Sequence, residues 1–270
     1  MTRTRSIPPS LAPVLTELEL MRPAVVTSAG LTKLLQQLGQ SITAKRAAAR
    51  LRELGWLLPL RSRGVWEFAP ADRAGALHGG DTFIELRAAL AARPQLRIGV
   101  GFDSAAFLRG LSTRQSTREV IVVEPGTARL PAHSEFRRVE LALPAPAYSE
   151  MNGLRVQTST GIIAAIAIRP DGFADWPGLG EWLTVAVNHV DAAQLRSFLT
   201  GRSPAAWARA AYLLYAGGAS SAAETITLAG PPGKGPFYLG PRQPGGHHDA
   251  TTRVIDTVVH RYVTARQGSS

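Results

Sequence analysis

Apolar positions recur at helical spacing three times within the first 55 residues, and a strand-like pattern follows. Leu11, Val14, Leu15, Leu18 and Met21 make one stripe over Ser10–Met21, which Pro23 ends. Leu31, Leu34, Leu35 and Leu38 make a second over Thr27–Gly39, with Thr27 or Ser28 as its cap. Gly39-Gln40 is the tight turn into a third helix. There Ser41 is the candidate N-cap, because its hydroxyl can accept an orphan N–H of the first turn. Ala44, Ala47, Leu51 and Leu54 share the inner stripe, and Gly55 supplies the left-handed position that ends the helix. Trp56–Leu60 and Val65–Phe68 then read as two strands joined through Arg61-Ser-Arg-Gly64. Three short helices followed by a hairpin is the order of a winged helix-turn-helix. A three-helix bundle with an incidental hairpin is the plainer alternative.

Residues 69–80, APADRAGALHGG, lose all periodicity and are rich in Ala, Gly and Pro. From Asp81 the pattern alternates between helix and strand. Helices are expected over Asp81–Ala92, Asp103–Leu111, Thr160–Ile168, Gly180–His189, Asp191–Leu199 and Ser203–Ala216. Short strands are expected at Leu96–Val100, Glu119–Val123, Val139–Leu143 and Leu154–Thr158. A Pro/Gly loop over 229–250 surrounds a strand-like Phe237–Leu239, and Thr252–Thr264 reads as a closing helix. The expected class is α+β (mixed α/β). A winged helix-turn-helix domain over 1–70 and a linker over 71–80 lead to a larger mixed α/β domain over 81–270.

Charge sharpens this division. The chain carries a formal net charge of +10, and residues 1–70 hold ten Lys/Arg against four Asp/Glu. The third helix leaves Lys45, Arg46, Ala49, Arg50, Arg52 and Glu53 on its flanks and outer face. A dense basic surface supplies the salt-sensitive, sequence-independent part of nucleic-acid binding. An ordinary amphipathic surface helix would carry a similar pattern, so the case rests on the helices and hairpin around it. Arginine makes up 27 of the 30 basic residues, a bias that a GC-rich genome also produces.

Candidate chemistry elsewhere is sparse. There are no cysteines, which excludes disulfides, thiolate metal sites and a cysteine nucleophile. No apolar run approaches the roughly 18–20 residues of a membrane span. The N-terminal MTRTRSIPPS lacks the apolar stretch of a signal peptide, and a cytoplasmic protein is expected. Gly99-Val-Gly101-Phe-Asp-Ser104 lacks the third glycine of a dinucleotide turn. Gly230-Pro-Pro-Gly-Lys-Gly235 lacks phosphate-loop spacing, and its prolines remove backbone donors. His247-His248-Asp249 sits on a Gly-rich loop with no scaffold to fix a metal. No nucleophile elbow occurs, nor a carboxylate pair beside a histidine. No catalytic residue, metal or cofactor is expected. Trp176, Trp182 and Trp207 read as core or interface anchors.

The chain resembles the AbiEi-type antitoxins, the DNA-binding partners in type IV toxin–antitoxin operons. The stretches that carry the likeness are the basic helix and hairpin, FDSAAFLRGLS (102–112), Ser159–Ala167 (STGIIAAIA) and YLGPR (238–242). The resemblance implies a non-enzymatic autorepressor that binds operator repeats in double-stranded DNA and opposes a nucleotidyltransferase toxin encoded beside it. It implies that Lys45, Arg46 and Arg50 face the major groove, with Thr43 and Arg52 as secondary contacts. Arg61 and Arg63 at the wing would meet phosphate or the minor groove. Two other readings stay open. A ligand-sensing winged-helix regulator would need an apolar pocket within 81–270. An enzyme with an added DNA-binding domain would need a site that carries no known motif.

Overall fold

The computed structural model describes residues 7–73, 80–127 and 136–267. The chain is mixed α+β and divides into two compact units, with Leu96 and Arg97 on either side of the boundary.

In the first unit, helices α1 (Ala12–Met21), α2 (Ser28–Gln37) and α3 (Ala44–Glu53) stand with strands β1 (Val25–Thr27), β2 (Leu57–Pro59) and β3 (Val65–Phe68). The strands form an antiparallel sheet in the order β1-β3-β2. The three apolar stripes meet the sheet in one core: Leu15, Leu31, Leu35, Leu51, Trp56 and Phe68 are all buried there. Truncating one such leucine to alanine costs about 2–5 kcal/mol. Two local details differ from expectation. Thr43, not Ser41, caps α3, its hydroxyl accepting the Arg46 N–H at 3.4 Å. Ile42 packs against the core, so the chain stays extended one residue beyond it and turns helical only at Ala44. β1 was not anticipated, although Val25-Val26-Thr27 is a β-branched run of the kind that suits a strand.

A larger difference concerns helix α4 (Ile84–Ala92), expected in the second domain. It packs against β1 and β3 and belongs to the first unit. By strand alternation Trp66 and Phe68 face the helical core, whereas Val65 faces away and is nonetheless buried. Asp81 anchors the turn before the helix, accepting the Phe83 N–H at 2.9 Å and pairing with Arg87. Composition marked 71–80 as a boundary because Gly and Ala are frequent there. The apolar contacts continue through Phe83, Leu86 and Ala89.

The second unit is built on a five-stranded sheet. Its strands are β4 (Ile98–Val100), β5 (Val120–Val123), β6 (Arg137–Glu140), β7 (Tyr148–Met151) and β8 (Leu154–Gln157), ordered β6-β5-β4-β8-β7. The pairs β5–β6 and β4–β8 are parallel, and β4–β5 and β7–β8 are antiparallel. Helix α5 (Phe102–Leu108) follows β4. Helix α6 (Ser159–Ile168) is buried from Ser159 to Ala167 and contacts α5 as well as α7 (Trp176–Val187), α8 (Ala192–Leu199) and α9 (Pro204–Ala216). Gly161 in α6 admits the backbone of Ala147, whose carbonyl oxygen would lie 2.2 Å from any Cβ added there. Helix α10 (Ser220–Ala229) packs on α9 and was not anticipated.

The C-terminal expectation is overturned. Residues 252–259 are not helical: β11 (Val254–Asp256) lies between β9 (Phe237–Leu239), parallel, and β10 (His247–Asp249), antiparallel. Helix α11 (His260–Gln267) starts only afterwards. Val254 and Ile255 are β-branched, and Asp256 then turns the chain by accepting the N–H groups of Val258, Val259 and His260.

Candidate nucleic-acid interface

The arrangement of α1 to α3 and the β2–β3 hairpin makes α3 the exposed basic element of the first unit. Ala47, Ala48 and Leu51 are buried, while Thr43, Lys45, Arg46, Arg50 and Arg52 are exposed. At roughly 100° per residue, the line opposite the buried stripe runs through Ala49 and Glu53 with Arg46 beside it. Arg50 stands on one shoulder, and Lys45 and Arg52 stand on the other. The small Ala49 leaves this outer face low. Arg50 is not idle, since its guanidinium reaches Glu53 at 3.0 Å, in a pair whose side chains are 56% and 64% exposed. Such a pair is worth roughly 0.2–1 kcal/mol, so another anion can displace it. Thr43 spends its hydroxyl on the helix cap.

The hairpin places Arg61 and Arg63 on the surface and buries Ser62 between them. Gly64 adopts φ +73°, a left-handed conformation that closes the loop and favours glycine. Both ends of the Arg61–Gly64 stretch are held from outside the hairpin. The Gly64 carbonyl accepts the Ser28 N–H at 2.9 Å and the Ser28 hydroxyl at 3.2 Å. The Arg61 N–H donates to both carboxylate oxygens of Glu85 on α4, at 3.1 and 3.3 Å. Neither partner was singled out in the sequence. Ser28 was visible only as a cap candidate, and Glu85 lay beyond the expected linker. The cap of α2 is Thr27, whose hydroxyl accepts the Gly30 N–H at 2.9 Å.

The motifs of the second unit turn out to be occupied by the protein itself. Phe102 has φ +53°, and its N–H donates to the buried Gln157 side-chain oxygen at 2.9 Å. The Ser104 hydroxyl accepts the Val120 N–H at 2.7 Å. A Cβ on Gly101 would meet Val122 at 2.4 Å, so close packing explains that glycine. The turn therefore serves strand-to-helix packing and offers no phosphate cradle. Asp103 does not cap α5. It is buried, pairs with Arg137 at 3.1 Å and accepts the Ser116 hydroxyl at 2.9 Å. Burial pushes its carboxyl above the ordinary value, more than Arg137 and Ser116 pull it down. Arg109 ends the same stretch by donating to the carbonyls of Val156 and Gln157 and to the Ser149 hydroxyl.

In YLGPR, the Tyr238 carbonyl accepts from Arg209 at 2.6 Å, and the Arg242 guanidinium lies 5.4 Å from the Tyr238 ring centre. His247 stacks on His260 with ring centres 3.6 Å apart. Among the described residues no group of three or more His, Cys, Asp or Glu could hold a metal ion. Trp182 and Trp207 are buried. A cleft of about 740 Å³ is lined by Tyr148, Arg97, Arg155, Arg202, Glu124 and Glu150, together with the chain at 142–145.

Residues 98–216, from β4 to the end of α9, match the family model described as the AbiEi antitoxin C-terminal domain. Residues 98–216 are AbiEi-like. The AbiEi-like stretch includes FDSAAFLRGLS and Ser159–Ala167, while YLGPR lies beyond it. Similarity to a solved structure reaches across both units. The crystal structure of RV2827C protein from Mycobacterium tuberculosis is 25% identical, with a TM-score of 0.77 over 99% of this chain and 97% of that one. No curated protein matches the chain. Among the described residues, no helix is long and apolar enough to cross a membrane.

Proposed function

We propose that this protein is a DNA-binding autorepressor of the antitoxin type, acting on operator repeats in double-stranded DNA and opposing a nucleotidyltransferase toxin. The observation that carries the reading is the exposed basic face of α3 beside an arginine-tipped, externally held hairpin, on a chain whose residues 98–216 are AbiEi-like. Arg46 and Arg50 reach into the major groove, Lys45 and Arg52 flank them, and Arg61 and Arg63 meet the backbone. Thr43 contributes chiefly by setting the start of α3. The second unit is the antitoxin effector and has no catalytic role.

Binding to the DNA upstream of its own gene, followed by anisotropy across a salt series, tests this directly. Selective binding that Arg46→Glu abolishes, with an unchanged melting temperature, is the expected result. Arg63→Ala should weaken binding to all duplexes alike and reduce the salt slope by about one unit. Weak binding without sequence preference would sink the regulator reading.

A further inference from the structure

Two residues from outside the hairpin, Ser28 and Glu85, hold the Arg61–Gly64 stretch at the tip of its loop. A loop tip with exposed arginines would ordinarily open and close on its own, at low local stability. Here Ser28, at the start of α2, holds the carbonyl of Gly64. Glu85, in the first turn of α4, holds the N–H of Arg61 with both oxygens. A carboxylate beside a DNA-binding loop works against phosphate by Coulomb repulsion. The three-centre hydrogen bond that its two oxygens accept from the Arg61 N–H is a role that offsets the repulsion.

We infer that Glu85 is a positioning residue for DNA binding: it fixes the backbone of the wing tip, so that Arg61 and Arg63 are presented to the duplex without a separate ordering step. Ser28 completes the clamp from the other end. The inference rests on the DNA-binding reading. It deepens that reading by tying the wing to α4, the helix whose chain runs on through residues 93–96 into β4. Pre-ordering matters because each side chain or loop fixed on binding subtracts from affinity.

The comparison of Glu85→Gln with Glu85→Ala isolates the effect, since both remove the same charge and only glutamine keeps an acceptor. In the full chain, Glu85→Gln should bind the operator at least as tightly as the native protein. Glu85→Ala should bind roughly three- to tenfold more weakly than Glu85→Gln, the range expected for one neutral hydrogen bond. On an Arg61→Ala/Arg63→Ala background that gap should vanish, which a general loss of fold would not produce. Trypsin gives a readout without DNA. Cleavage after Arg61 and Arg63 should be slow in the native protein and in Glu85→Gln, and faster in Glu85→Ala. Equal cleavage and equal affinity of the two variants would overturn the clamp. Absence of selective DNA binding by the native protein would overturn the regulator reading, while the trypsin contrast would still decide whether Glu85 holds the tip.

Discussion

Glu53 is the residue on α3 whose chemistry opposes its surroundings. It lies near the centre of the outer face and pairs with Arg50, so it both repels phosphate and occupies a cation that could meet one. Glu53→Gln should therefore strengthen binding to any duplex several-fold and steepen the salt dependence by about one unit. If affinity for the operator falls while non-specific binding rises, Glu53 takes part in base readout instead, as a carboxylate accepting from a cytosine amine does. The exposure of Lys45, Arg46, Arg50 and Arg52 was legible from helical phase alone, because a stripe as regular as Ala44, Ala47, Leu51 leaves those positions outside. What they touch was not legible. The Arg50–Glu53 pair follows from an i, i+3 spacing that was present in the sequence. The Arg61–Glu85 contact joins residues 24 positions apart, across a segment without periodicity.

At the level of elements, most helices and the strands of the central sheet were readable, whereas two three-residue β-branched runs were not. Val25–Thr27 and Val254–Asp256 each give only three strand residues, and the second was absorbed into a helical stripe because Val254, Val258 and Tyr262 fit that period as well. β7 had a sharper signal that passed unused. Asn152-Gly153 adopts φ +49° and +74°, the two-residue turn that joins hairpin strands most readily. In α5 a polar residue of the kind that caps helices lies inside the helix, whose N-cap is Gly101. Asp103 pins α5 to β6 through Arg137 and to the 112–118 loop through Ser116. Since burial raises its folded-state pKa above the ordinary 3.8, folding favours the protonated acid. That contribution is fully present below the ordinary value and is lost as pH rises through the raised one. Urea melts should show native stability falling relative to Asp103→Asn as pH climbs from about 4 through the weakly acidic range. A constant difference between the two proteins would mean the carboxyl titrates as in the unfolded chain.

For the molecule as a whole, class and order of parts were legible, because charge and periodicity both change along the chain. The division between the parts was not, because a glycine-rich stretch need not coincide with the end of a packed core. Phe83 and Leu86 are buried, and α4 packs on β1 and β3. A fragment of residues 1–96 should give a cooperative thermal transition and dispersed amide resonances. One ending at residue 75 should melt lower and over a broader range. Indistinguishable melts would show α4 to be dispensable for the first unit. The same helix bears on how such a protein could be assembled from interchangeable pieces. A recombination within 71–80 would hand the new partner a helix that belongs to the first unit and leave that unit without Glu85. Any exchange that keeps the β2–β3 hairpin in register has its seam after Leu96, so α4 is inherited with the first unit and not with the AbiEi-like stretch that follows it.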